Sequence, residues 1–103
     1  MTLTCIILDL DARRVVSATS YDVAPAAAFD PVLMHKLGVS IARLAAPDVA
    51  NARIAWAQGR LSLEDAVAGV TADVFDKVAF VEEWILDGGA SVMRVDFPGR
   101  GWN

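Results

Sequence analysis

Residues 2–10 read TLTCIILDL, an apolar run whose only charged residue is Asp9. Aliphatic and β-branched residues occupy both odd and even positions, so both faces of a strand built from this run are apolar. Such a run is typical of a strand in the middle of a sheet that is covered on both faces. We therefore expect a central strand at Thr2–Leu10.

A second strand is predicted at Arg14–Tyr21, because the sequence RVVSATSY alternates with the period of a strand. The alternation sets Val15, Ser17, Thr19 and Tyr21 on one side and Val16 and Ala18 on the other. Only residues 11–13 separate the two strands, so they are expected to pair as a hairpin. The connection contains neither Asn-Gly nor Asp-Gly, and its turn type and register stay open.

Two helices are predicted between residues 30 and 58, after a proline-containing linker at Asp22–Phe29. Asp30 before Pro31 is a typical helix start, since aspartate accepts hydrogen bonds from free amides and proline suits the first helical position. This helix is expected to run to about Ala46, with a core stripe of Leu33, Met34, Leu37, Ile41 and Leu44. The alanine-rich segment Asp48–Gln58 predicts a second helix, which Gly59 terminates.

Two further helices and a strand are predicted in the remainder of the chain. Ser62 is placed to cap a short helix that ends near Ala68. Thr71 is placed to cap a long helix at Ala72–Leu86, which the glycines at 88 and 89 end. Residues 90–97, ASVMRVDF, alternate strictly and predict a C-terminal strand, followed by a flexible tail at 98–103.

The order of these elements predicts a single α+β domain over residues 1–103. It contains an N-terminal β-hairpin, three to four helices, and a C-terminal strand that completes a small three-stranded antiparallel or mixed sheet. The helices are expected on one face of that sheet. The second apolar face of residues 2–10 then needs a partner subunit or a folded-back segment to cover it.

Composition narrows the class of protein. The chain has 103 residues, 55% of them hydrophobic, and a net charge of −4, which disfavours a polyanion such as nucleic acid as the main partner. Its single cysteine excludes an internal disulfide and a thiolate metal site. Residues 1–10 lack a basic segment of the signal-peptide type, and no apolar run approaches the ~20 residues that a membrane crossing requires. A cytoplasmic protein without membrane contact is expected.

The string Ile6-Ile7-Leu8-Asp9-Leu10-Asp11 resembles the first motif of haloacid-dehalogenase-type phosphatases. In that family the first aspartate is the nucleophile and the second a general acid, both beside Mg²⁺, so the resemblance implies those roles for Asp9 and Asp11. It covers six residues, and Ala12-Arg13 stands where the family has Gly-Thr. A pair of turn aspartates that cap the hairpin is the preferred interpretation.

The remaining polar candidates are few. His35 is the only histidine and lies on the flank of the first helix, without a carboxylate or nucleophile one helical turn away. A small-ligand pocket between helices and sheet, closed at a dimer interface, is an alternative in which His35, Asp9, Asp11 and Arg94 supply the polar contacts. No cofactor and no metal site are predicted.

Aromatic residues suggest a contact surface. Phe80 and Trp84 are one turn apart on the predicted long helix and lie off its core stripe, and Trp56 and Trp102 add to the aromatic surface that must be buried. We expect a protein-interaction or regulatory module that acts by binding, as a homodimer or on another protein, without catalytic machinery of its own. A ligand-binding protein or enzyme is the alternative, and a component of a phage or other assembly is a third.

Overall fold

The computed structural model describes residues 1–76 and the backbone of two short strands at 82–85 and 91–94. The chain has an α+β fold, and the sheet order is β2-β1-β3-β5-β4. In chain order the elements are β1 (Thr2–Asp9), β2 (Arg14–Asp22), α1 (Pro25–Ala28), α2 (Pro31–Ala45), β3 (Ala52–Gln58), α3 (Leu63–Gly69), α4 (Ala72–Asp76), β4 (Glu82–Ile85) and β5 (Ser91–Arg94).

The predicted central strand and hairpin are confirmed. β1 pairs antiparallel with β2 on one edge and with β3 on the other, which makes a three-stranded antiparallel unit. Every side chain from Leu3 to Leu8 is fully buried. Burial on both faces explains why this strand carries no polar alternation.

The third strand of this unit comes from a segment that was predicted to be helical. Ala52–Gln58 forms β3, so the helix expected at Asp48–Gln58 is wrong. Alanine favours helices in isolation, but tertiary packing overrides that preference where both faces of a segment are buried. β5 falls within the predicted strand at 90–97, and it lies beside β3.

Helices cover both faces of the sheet, so the expectation of helices on one face is wrong. Leu3, Cys5 and Ile7 of β1 pack with Met34 and Ile41 of α2. The alternate residues Ile6 and Leu8 pack on the opposite face with Ala66 of α3. The second apolar face of β1 was expected to be covered by a partner subunit or by a folded-back segment. In the structure a folded-back segment, α3, covers it.

The long helix predicted at Ala72–Leu86 is also wrong. α4 ends at Asp76, and Glu82–Ile85 forms the strand β4, paired antiparallel with β5. Trp84 and Ile85 are residue types that favour strands, and pairing with β5 outweighs the helical spacing of the apolar positions.

A bulge in β2 changes which residues share a face. The register shifts between Ile7, opposite Ser17, and Leu8, opposite Val15, so Val16 is an extra residue. Val15 therefore packs with Ala18 on the α3 side, and Val16 packs with Tyr21 on the α2 side. The prediction from strict alternation had grouped Val15 with Tyr21 and Val16 with Ala18, so it placed each valine on the wrong side of the sheet.

A buried hydroxyl positions the connection between β3 and α3. The Thr4 side chain is fully buried, and its Oγ1 donates to the Gly59 carbonyl at 2.7 Å and accepts from the Leu61 amide at 3.0 Å. The Ser20 hydroxyl lies 2.9 Å away on the third side. Gly59 has φ 90°, a conformation that favours glycine, and this turn lets the chain reverse over the sheet.

Candidate functional site

The predicted start of the first long helix is confirmed. The Asp30 carboxylate accepts hydrogen bonds from the Val32 amide at 3.0 Å and the Leu33 amide at 3.2 Å, and Pro31 occupies the first helical position. Met34, Gly38 and Ile41 are the buried residues of α2. This inward-facing row fixes which side chains of the helix point to solvent.

The solvent side of α2 is apolar and basic. We call it the α2 outer face, and it consists of Val32, Leu33, Lys36, Ser40, Arg43 and Leu44. Leu44 is 86% exposed and Leu33 is 49% exposed. The Ser40 hydroxyl donates to the Lys36 carbonyl at 3.1 Å and is thus satisfied within the helix. Large apolar side chains exposed together on one surface are typical of a contact region.

Charge on α2 has one sign. The helix PVLMHKLGVSIARLA contains Lys36 and Arg43 and no acidic residue, whereas the whole chain has 13 acidic and 9 basic residues. The ordinary surface of a soluble helix mixes both signs. The charged side chains of α2 are therefore all basic, on a chain whose net charge is −4.

The core prediction for α2 was wrong at two leucines. Leu33 and Leu44 were placed on the core stripe with Met34 and Ile41, but both are exposed. At 100° per residue they lie about 60–100° away from Met34 and Ile41, at the edge of a stripe that was drawn too wide. Two features of the sequence could have identified Leu33 and Leu44 as exposed. One is their angular separation from Met34 and Ile41, and the other is the absence of acidic residues on the helix.

A second apolar surface lies on the other side of the sheet. The predicted Ser62 cap is confirmed, because its hydroxyl accepts from the Asp65 amide at 3.1 Å. The exposed side of α3, which we call the α3 outer face, consists of Leu63, Glu64, Asp65 and Val67. Leu63 is 45% and Val67 is 55% exposed. This face is apolar and acidic, and α3 contains no basic residue.

His35 lies away from the other predicted ligand residues. It lines a shallow depression of about 400 Å³ on the flank of α2 with Lys36, Val39, Ser40 and Arg43. A second depression, of about 430 Å³, shares Val39 and Arg43 and continues toward Ile54 of β3. Asp9 and Asp11 line neither of these two depressions.

The two aspartates belong to the hairpin turn. Asp9 Oδ1 accepts from the Asp11 amide at 3.1 Å and from the Ala12 amide at 3.0 Å, and Asp9 Oδ2 lies 3.9 Å from Arg14 Nε. Asp11 is exposed and accepts from Asn51 Nδ2 at 3.4 Å. These bonds agree with turn aspartates, and the structure does not bring His35 to them.

The predicted aromatic surface is not assembled in the described part of the chain. Trp56 is 1% exposed and packs in the core under α2, so its assignment to a contact surface is wrong. Trp84 lies in a strand, which removes the helical pairing with Phe80 on which that surface was based. Phe80, Trp102 and the side chains of Trp84 and Arg94 lie outside the described residues.

The described residues contain no group of three or more histidine, cysteine or acidic side chains that could hold a metal ion. Cys5 is buried in the core, and burial raises the pKa of its thiol to about 12. A neutral thiol is a poor nucleophile and metal ligand. Within the same described residues, no helix has the length and apolarity needed to cross a membrane.

Comparisons with protein-family models, with curated proteins and with solved structures gave no match to this chain.

Proposed function

We propose that this chain acts by binding another protein and that the α2 outer face is its contact surface. The observation that carries this proposal is the exposure of three large apolar side chains of α2, Val32, Leu33 and Leu44, beside Lys36 and Arg43. Apolar residues at the centre of a contact supply affinity, and charges at its rim select the partner. The partner surface is therefore apolar and bordered by carboxylates.

A protein partner fits the charge of the chain better than a membrane does. An apolar and basic helix face also suits an anionic lipid surface. The net charge of −4 opposes approach to such a surface, because the rest of the protein is repelled by it. A protein partner can instead place its carboxylates against Lys36 and Arg43 alone.

Site-specific photo-crosslinking in the native host tests the proposal. A crosslinking amino acid at position 33 or 44 is expected to give one discrete protein adduct, and the same group at the exposed turn residue Ala12 is expected to give none. The K36E/R43E substitution is expected to reduce the adduct several-fold while the circular dichroism spectrum stays unchanged. Equal adducts at all three positions, or an adduct that the charge reversal leaves intact, would contradict the proposal.

Vesicle flotation separates the two kinds of surface. Purified chain is expected to stay unbound to vesicles that contain anionic phospholipid. Binding that is lost in the L33S/L44S variant would assign the α2 outer face to lipid and overturn the protein-binding proposal.

A small anionic ligand is the second candidate, because His35, Lys36 and Arg43 line one depression on the flank of α2 and Arg43 also lines the second. Ligand binding to the folded state raises the melting temperature, and a hit that the His35→Ala variant loses would support this candidate. If no carboxylate or phosphate in the screen raises the melting temperature of the parent chain or of the His35→Ala variant, those two ligand classes are excluded.

A further inference from the structure

The two outer faces of this chain are chemically complementary to each other. The α2 outer face combines exposed aliphatic side chains with Lys36 and Arg43, and the α3 outer face combines them with Glu64 and Asp65. Within residues 1–76 none of these four charges has an ion-pair partner in its own chain. We propose that the α2 outer face of one copy binds the α3 outer face of a second copy. This inference rests on the proposed function and names the partner.

The two faces cannot meet within one molecule. α2 packs on the side of the sheet that displays Leu3, Cys5 and Ile7, and α3 packs on the side that displays Ile6 and Leu8. Alternate residues of a strand point to opposite faces, so the fold holds the two outer faces on opposite sides of a central sheet. Only a second copy can bring them together.

Charge also determines which pair of faces associates. A twofold dimer through α2 would place Lys36 and Arg43 beside their own copies in a contact without acidic residues, and like charges there are destabilising. The mixed contact sets the basic side chains of α2 against Glu64, which lies about 60° from Val67 around α3. It also buries Leu63 and Val67, which are 45% and 55% exposed in the single chain.

The contact is expected to be weak and open-ended. Leu63 and Val67 lie about 6 Å apart along α3, whereas Leu33 and Leu44 lie about 16 Å apart along α2, so α3 covers part of the larger face. A small contact gives low affinity. Since each copy presents both faces on opposite sides, association is head to tail and adds further copies instead of stopping at a symmetric dimer.

Sedimentation of the purified chain over a concentration series is the first measurement. The average mass is expected to rise past that of two chains as concentration increases, and high salt is expected to lower it. A chain that stays monomeric up to about 1 mM, where a contact with a Kd of about 1 mM or tighter is clearly populated, would overturn the inference. The binding proposal would then still stand if position 33 crosslinks to a different protein, and both would fail if no adduct forms.

Two half-blocked variants test the head-to-tail geometry. L33S/L44S disables the α2 outer face and L63S/V67S disables the α3 outer face, and all four residues are exposed enough to be replaced without loss of core. Each variant alone is expected to be monomeric, and an equimolar mixture is expected to form a two-chain complex that does not extend. If L63S/V67S alone still forms dimers, the contact is a twofold one through α2 and the inference is wrong.

The most exposed large apolar residue of each face gives a milder pair, Leu44→Ser and Val67→Ser, should a double variant lose its fold. An equimolar mixture of these two single variants is also expected to form a two-chain complex, while each variant alone is expected to associate only at a higher concentration than the parent chain. A mixture that remains monomeric while the parent chain associates would also overturn the proposed contact.

Discussion

The two sides of the central strand are packed with side chains of different size. Toward α2, the core contains Trp56, Met34 and Ile41 around alternate residues of β1. Toward α3, Ala55, Ala57 and Ala66 face Ile6 and Leu8. The same strand therefore supports one side whose stability depends on filling volume, and another whose stability depends on close approach and on the hydrogen bonds of Thr4.

Truncation of Trp56 is expected to give the largest effect. Trp56→Ala removes the largest fully buried side chain, and such changes cost about 3–5 kcal/mol in the free energy of unfolding. Urea unfolding followed by circular dichroism measures the loss. Leu44→Ala, at an exposed position, serves as the control with a change within about 0.5 kcal/mol. A loss below about 1 kcal/mol at Trp56 would show that the α2 side does not depend on volume.

Loss of the Thr4 hydroxyl tests the α3 side. Thr4→Val keeps the shape of the side chain but leaves the Gly59 carbonyl and the Leu61 amide without their partner, which costs about 2 kcal/mol or more. The same unfolding measurement applies. Thr19→Val is the matched control in β2, since its hydroxyl makes no hydrogen bond within residues 1–76. Equal effects at both threonines would contradict the role assigned to Thr4.

The contact of α2 with β3 gives a smaller effect whose sign depends on the background. A Cβ at Gly38 would lie 2.7 Å from Ile54 Cγ2, so Gly38→Ala is expected to lower stability by about 1 kcal/mol although alanine favours helices. In an Ile54→Ala background that obstacle is absent, and Gly38→Ala is expected to be neutral or stabilising. A double-mutant cycle measures the reversal. The same sign in both backgrounds would exclude the steric explanation.

The last effect is absent at neutral pH, because it concerns the buried thiol, whose titration changes stability only in alkaline solution. Burial raises the pKa of the Cys5 thiol from its ordinary value of 9.0 to about 12, so the folded state binds more protons than the unfolded state between these pH values. Stability from this group is complete below pH 9 and falls by at most about 1.4 kcal/mol per pH unit above it. Cys5→Ala is expected to flatten this part of the stability profile. Rapid reaction of native Cys5 with a maleimide at pH 7 would contradict the burial of the thiol.

Local signals in the sequence predicted the parts of the fold that depend on nearby residues. Asp30 and Ser62 cap helices where expected, and the apolar run of β1 lies at the centre of the sheet. Asp48–Gln58 was misread because its alanines fit a helix by propensity, whereas pairing with β1 and burial on both faces decide its structure. The pairing of β1 with β3 joins residues about fifty positions apart, so it cannot be predicted from the sequence of either segment alone.

The candidate site was harder to predict for the same reason. Leu33 and Leu44 look like core residues as long as the width of the neighbouring sheet surface is unknown. Trp56 looks like a surface residue while its segment is taken as a helix of weak amphipathicity. In both cases, the position of the element against the sheet determines exposure, and this position follows from long-range pairing.

The placement of β1 between β2 and β3 also sets the order in which the chain can fold during synthesis. Its first neighbour is complete at residue 22, but its second neighbour ends at residue 58. Until then the nascent chain carries a hairpin with an unpaired apolar edge, a type of surface that invites wrong pairing. Protease resistance of β1 is therefore expected only in nascent chains in which β3 has also left the ribosome.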